Sequence, residues 1–135
     1  SGSTGEPKGV AMQHGATMTT IDEIKSRYMI DADDCVFGIS AMSFDLSVWD
    51  IFGGLGAGAR LIIPEESEAL DPGAWTRLIQ QHGVTVWNSV PTLAQLMIER
   101  YEDVGGDTPL PVRLYLLSGD WIPPTCSPLL LETVM

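Results

Sequence analysis

Short apolar runs alternate with helix-periodic segments along most of this chain, and that alternation limits the fold more than any other feature. The apolar runs read as strands: Gly9–Met12, Cys35–Ile39, Arg60–Ile63, Val84–Ser89 and Arg113–Leu117. Between them lie segments with apolar residues three and four apart, such as Met18, Ile21, Ile24 and Tyr28 within Ala16–Tyr28. Leu46–Leu55, Asp71–Gln81 and Thr92–Tyr101 read as further helices, and Pro124–Val134 as a partial one. Antiparallel neighbours can be joined by a tight hairpin, whereas parallel neighbours need a crossover of about a dozen residues. Alternation on this scale predicts an α/β fold with a mostly parallel sheet.

Punctuation supports the same division. Asp71 is suited to cap a helix that Pro72 opens, and Gly83 to end it. Asp31–Asp34 is a polar turn, Glu102–Thr108 a polar loop, and Pro64 stops the third strand. In parallel sheets, ligands bind outside the carboxyl ends of the strands. Three strand exits therefore matter most: Ser40–Asp45, Asn88–Pro91 and Ser118–Trp121.

Composition narrows the function classes. With 135 residues, the chain is one domain or part of one, and 44% hydrophobic content supplies a core. The formal net charge of -11 argues against a nucleic-acid partner held through its phosphates. No apolar run is long enough to cross a bilayer and no signal peptide is visible, so a cytoplasmic enzyme is expected. Cys35 and Cys126 have no Cys-x-x-Cys or Cys/His spacing, so no metal site is implied. Cys35, beside an apolar strand, reads as a small buried hydrophobe.

The first nine residues, Ser-Gly-Ser-Thr-Gly-Glu-Pro-Lys-Gly, hold three glycines, three hydroxyls and one lysine. Glycines let backbone N–H groups converge on a phosphate, Ser1, Ser3 and Thr4 add donors, and Lys8 adds a compact charge. Ser1–Gly5 alone would also suit a flexible linker, but Pro7-Lys8-Gly9-Val10 is not linker composition. Nor is this the common nucleotide loop, in which Gly-Lys-Ser/Thr runs directly into a helix. The pattern resembles the phosphate-binding loop of adenylate-forming enzymes, which include acyl-CoA synthetases and nonribosomal peptide synthetase adenylation domains. It matches at Ser1, Gly2, Ser3, Thr4, Gly5, Pro7, Lys8 and Gly9, and His14 stands where that family often has histidine. The resemblance implies that Ser1, Gly2, Ser3, Thr4, Gly5 and Lys8 bind the phosphates of ATP.

At the first strand exit, Asp45 sits at a strand-to-helix junction. Position alone favours a helix N-cap; the alternative is a carboxylate held in a pocket to meet a cationic ligand. Phe44-Asp45-Leu46-Ser47 resembles the motif in which peptide synthetase adenylation domains bind the substrate's α-ammonium, which implies that role for Asp45. By the same resemblance Leu46, Trp49, Asn88, Leu116 and Ser118 line the substrate side-chain pocket, and Gly119 lies near the adenine. Read without it, Trp49 could be a core aromatic and Asn88 could tie down the turn before Pro91. The order Asp-Leu-aromatic-Asn-Leu-Ser is similar to cysteine-activating domains. There the aromatic is usually tyrosine, so Trp49 leaves room for another small amino acid.

The resemblance implies the formation of aminoacyl-AMP from an amino acid and MgATP, with pyrophosphate released. The aminoacyl group would then pass to the phosphopantetheine thiol of a peptidyl carrier protein, beside neighbouring synthetase domains. On this reading residues 1–135 are an internal part of the large N-terminal domain, truncated at both ends, with no catalytic residue of their own and no independent turnover. Two alternatives stay open: an acyl- or aryl-CoA ligase, whose substrates lack the α-amino group that Asp45 would bind, and a degenerate, binding-only domain.

Overall fold

In the computed structural model, which describes residues 9, 11–106 and 108–121, four parallel strands carry helices on both faces. The elements run α1 (His14–Arg27), β1 (Cys35–Gly38), α2 (Leu46–Val48), β2 (Arg60–Ile62), α3 (Pro72–His82), β3 (Val86–Ser89), α4 (Pro91–Asp103) and β4 (Leu114–Leu117). The sheet order is β2-β1-β3-β4. The α/β class and parallel sheet expected from the alternation are those observed. The strand expected over Gly9–Met12 is not formed at its described positions: Gly9, Ala11 and Met12 have no strand partner among the described residues. The partial helix expected over Pro124–Val134 lies outside the described residues.

The chain runs from β1 to one edge at β2, then crosses back over β1 to β3 and on to β4. Parallel crossovers are right-handed, so a reversal of direction moves the connecting helix to the opposite face. The two cores follow this rule. Cys35, Phe37, Trp87, Tyr115 and Leu117 face Trp75 and Ile79 of α3 and Ala94, Met97 and Ile98 of α4. The alternate strand residues Val36, Val86, Leu114 and Leu116 face Ile21 of α1 and Trp49. Both faces are covered, which is why the strands are continuously apolar rather than alternating.

The ends of α3 fall where its capping residues stand. Asp71 accepts a hydrogen bond from the Gly73 N–H at 2.9 Å, Pro72 occupies the first turn, and Gly83 ends the helix at φ 62°. The segment expected as one helix, Leu46–Leu55, is helical but not uniform. After α2 it widens into a π-helix over Trp49–Gly54 and tightens into a 3-10 turn over Leu55–Ala57. Gly54 permits its close approach to the sheet, and Gly53 makes room for the Trp49 ring. A Cβ on Gly54 would lie 2.9 Å from Val36 Cγ2, and one on Gly53 would lie 2.9 Å from the Trp49 indole.

At the amino-terminal end of the sheet, three segments are clamped around Asp34. The Arg113 side chain donates to it from Nε and Nη2, at 2.9 and 2.6 Å, and Thr85 Oγ1 donates at 2.6 Å. Arg113 also bonds the carbonyls of Tyr28 and Met29, which tethers the end of α1.

Candidate functional site

The direction of winding reverses between β1 and β3, and a crevice opens where their carboxyl ends diverge. A cavity of about 670 Å³ occupies this place. Its walls include Asp45, Leu46, Trp49, Asn88, Leu116 and Ser118, so all six candidate pocket residues border one space. Register explains how residues far apart in sequence meet. Gly38 pairs with Asn88, and Asn88 with Leu116, in one row across the sheet. This row lies two residues beyond Val36, Val86 and Leu114, and shares their face. Gly38 has no side chain, which leaves Asn88 and Leu116 to form the floor.

Asp45 is exposed at the cavity and makes no capping hydrogen bond; its backbone is already helical, with φ -63° and ψ -26°. A capping residue normally has extended backbone, so the N-cap alternative does not describe it. Nor is Asp45 a buried charge awaiting a partner: water reaches its carboxylate. Trp49 is a buried part of the cavity wall, with its indole against Gly53 and its Nε1 without a partner among the described residues.

Asn88 is buried and bonded on its amide side. Its Nδ2 donates to the Leu46 carbonyl at 3.1 Å and to Asp50 Oδ1 at 2.8 Å. It therefore ties the floor to α2 and the π-helical segment that follows it, rather than to the turn before Pro91. Asp50 is 2% exposed, and its Oδ2 has no partner among the described residues. Burial pushes its carboxyl up to about 7, against the opposing pull of the Asn88 hydrogen bond. Burial likewise raises the Tyr115 hydroxyl, to about 12.

Two parts of the wall were not among the sequence candidates. Thr17, Thr20, Ile21 and Ile24 of α1 form one side, and Met42, Ser43 and Phe44 form the rim. The helical spacing within α1 was a visible signal, but not which strand exit that face would meet. Gly119 lies just past β4 at φ 88°, exposed, with Val90 Cγ1 3.5 Å from where its Cβ would stand. A larger residue would be strained there. The phosphate-loop candidates Ser1, Gly2, Ser3, Thr4, Gly5 and Lys8 lie outside the described residues. His14 is the exposed first residue of α1. No helix among the described residues is long and apolar enough to cross a membrane.

This crevice at the switch point, bordered by three strand exits, is that of an adenylate-forming fold. Residues 1–132 match the family model described as AMP-binding enzyme, and the chain belongs to that family. Pyochelin synthetase PchF of Pseudomonas aeruginosa is 46% identical over 124 residues, which are 91% of this chain and 7% of the relative. Among solved structures, the nonribosomal peptide synthetase FmoA3 in its α-methyl-L-serine-AMP form superposes with a TM-score of 0.80 at 36% identity, covering 89% of this chain and 14% of that one. The Vibrio cholerae adenylation domain AlmE, in complex with glycyl-adenosine-5'-phosphate, gives a TM-score of 0.74 at 37% identity, covering 89% and 22%. The chain thus spans a small part of the length of these three relatives.

Proposed function

We propose that this chain forms the amino-acid pocket and phosphate loop of an adenylation domain in a nonribosomal peptide synthetase. The observation that carries the reading is the single cavity bordered by Asp45, Leu46, Trp49, Asn88, Leu116 and Ser118. Its chemistry suits an amino acid. The uncapped carboxylate of Asp45 can pair with an α-ammonium, and a mostly apolar wall with Asn88 and Ser118 can receive a small side chain. A carboxylic acid without an amino group would leave Asp45 unmatched.

On this reading, the substrate carboxylate attacks the α-phosphorus of ATP, the bond from that phosphorus to the bridging oxygen breaks, and pyrophosphate leaves. Asp45 orients the substrate by its ammonium, which brings the carboxylate to the phosphates held by Ser1, Gly2, Ser3, Thr4, Gly5 and Lys8. The contribution of these residues is positioning and charge matching. Gly119 allows the adenine to approach the backbone. Mg²⁺ would neutralise charge on the phosphates when bound. A phosphopantetheine thiol on a peptidyl carrier protein would then attack the carbonyl carbon of the aminoacyl-AMP, forming a thioester as the bond from that carbon to the phosphate oxygen breaks and AMP leaves.

The substrate is a small amino acid, with cysteine first. The order of pocket residues supports this, and so do the two solved relatives, whose adenylates carry α-methyl-L-serine and glycine. One methylene or hydroxyl changes preference by only ~1–3 kcal/mol in an apolar pocket, so Trp49 in place of tyrosine is enough to shift it. The test is ATP–pyrophosphate exchange by the full-length protein against a panel of amino acids and of carboxylic acids lacking the amino group. Exchange with small amino acids, highest with cysteine, is expected. Exchange with the carboxylic acids alone would overturn the reading.

A further inference from the structure

Asp50 is a buried carboxylate that the activation chemistry does not use. Holding such a group away from water costs several kcal/mol, so the single hydrogen bond its carboxyl makes among the described residues is informative. That bond goes to Asn88, in the floor of the cavity. We propose that Asp50 is a positioning residue of the pocket, holding the Asn88 amide so that its oxygen, and not its nitrogen, is offered to the bound side chain. The proposal rests on the amino-acid reading of the cavity and deepens it.

The geometry follows from donor counting. A primary amide has two N–H donors and one acceptor oxygen. The Asn88 nitrogen is committed twice, to the Leu46 carbonyl and to Asp50 Oδ1. Leu46 and Asp50 lie about one helical turn apart, so both acceptors come from the same wall. A flipped amide would set its oxygen against two acceptors, which is repulsive. With Asp50 ionised only one orientation is satisfied, and the amide oxygen is the atom left for an occupant. Without Asp50, the Leu46 carbonyl remains as the single constraint, and that carbonyl already accepts the Trp49 N–H.

An acceptor at this point favours a side chain that ends in a donor. A hydroxyl or thiol meets it; a methyl group of the same size leaves it unpaired. The pocket therefore discriminates cysteine or serine from 2-aminobutyrate, which has a methyl in place of the thiol or hydroxyl, and Asp50 maintains that discrimination without touching the substrate.

The test is pyrophosphate exchange by the full-length protein, with kcat/KM measured for cysteine, serine and 2-aminobutyrate and KM measured for ATP. Asp50→Ala is expected to lower the preference for the better donor-bearing substrate over 2-aminobutyrate about tenfold, through the amino-acid KM, with the KM for ATP unchanged. Asp50→Asn offers both an acceptor and a donor, so it can meet either orientation of Asn88 and is expected to give a preference between those of the wild type and Asp50→Ala. The Asp50→Ala effect is expected to vanish in an Asn88→Leu background. An Asp50→Ala protein that keeps the wild-type preference would overturn the proposal. Should that variant not fold, Asp50→Asn decides: a preference equal to the wild type's overturns the proposal, and a reduced preference with the KM for ATP unchanged supports it. A wild-type protein with no amino-acid-dependent exchange would instead overturn the reading of the cavity beneath it.

Discussion

Arg113 closes on Asp34 with two hydrogen bonds, of 2.9 and 2.6 Å, at the end of the sheet away from the cavity. Asp34 is 4% exposed, so removing the arginine leaves a buried carboxylate without its main partner. Arg113→Ala is expected to destabilise the protein by roughly 2–4 kcal/mol, read as a lower midpoint in urea. Burial pushes the Asp34 carboxyl up, but its hydrogen bonds to Arg113, Thr85 and the Asp31 N–H together hold it below the usual range. Its folded value being depressed, the clamp's contribution is present above about pH 4, the ordinary carboxylate value, and is lost as pH falls through the folded value. An Arg113→Ala midpoint equal to the wild type at pH 7 would show that the clamp contributes nothing.

Asp50 has the opposite sign. Its folded value of about 7 lies above the unfolded value of about 3.9, so the folded state holds the proton more tightly. Stability is unaffected by this group at low pH, falls as pH rises between about 4 and 7, and levels off above. Asp50→Asn removes the titration. The difference in unfolding free energy between this variant and the wild type is expected to shift in the variant's favour by a few kcal/mol from pH 5 to pH 8. A difference that does not change with pH would contradict the buried, protonatable carboxyl.

Gly53→Ala is expected to reshape the pocket from below. The added Cβ would stand 2.9 Å from the Trp49 indole, so the ring must move, and the ring is part of the cavity wall. A loss of roughly 1–3 kcal/mol in stability is expected, together with a higher KM for the amino acid and little change for ATP. Unchanged amino-acid KM with wild-type stability would show that Trp49 does not shape the site.

Cys35 is fully buried in the apolar core, and burial raises its thiol above the usual range. The thiolate is the reactive species, so native protein is expected to resist iodoacetamide at Cys35 and to become labelled there in urea. Mass spectrometry of the labelled peptide checks this. Rapid labelling of Cys35 under native conditions would contradict its place in the core.

The features legible in the sequence were those carried by local signals. Asp71, Pro72 and Gly83 mark both ends of α3 within a few residues of chain, and the alternation of elements implied the parallel sheet. The strand exits were legible as the ligand-binding end of a parallel sheet, but the six cavity residues themselves were named only through the resemblance to adenylation-domain motifs. What escaped depends on contacts between distant segments. The clamp joins residues 51 and 79 positions apart, and no local pattern ties Asp34 to Thr85 or Arg113. Asp50 carried no signal in the sequence; only Asn88, 38 residues on, makes it a buried partner. The π-helical turn arises where Gly53 and Gly54 let the helix press on Trp49 and Val36, a fact of packing rather than of propensity.

The central claim is that Asp45 receives the ammonium of an amino acid. The most direct measurement is amino-acid-dependent ATP–pyrophosphate exchange by the full-length Asp45→Ala protein beside the wild type. Exchange with a small amino acid is expected in the wild type and its loss by at least about a hundredfold in the variant, because an ammonium would be left without its counter-charge. An Asp45→Ala protein that activates the amino acid as well as the wild type would contradict it.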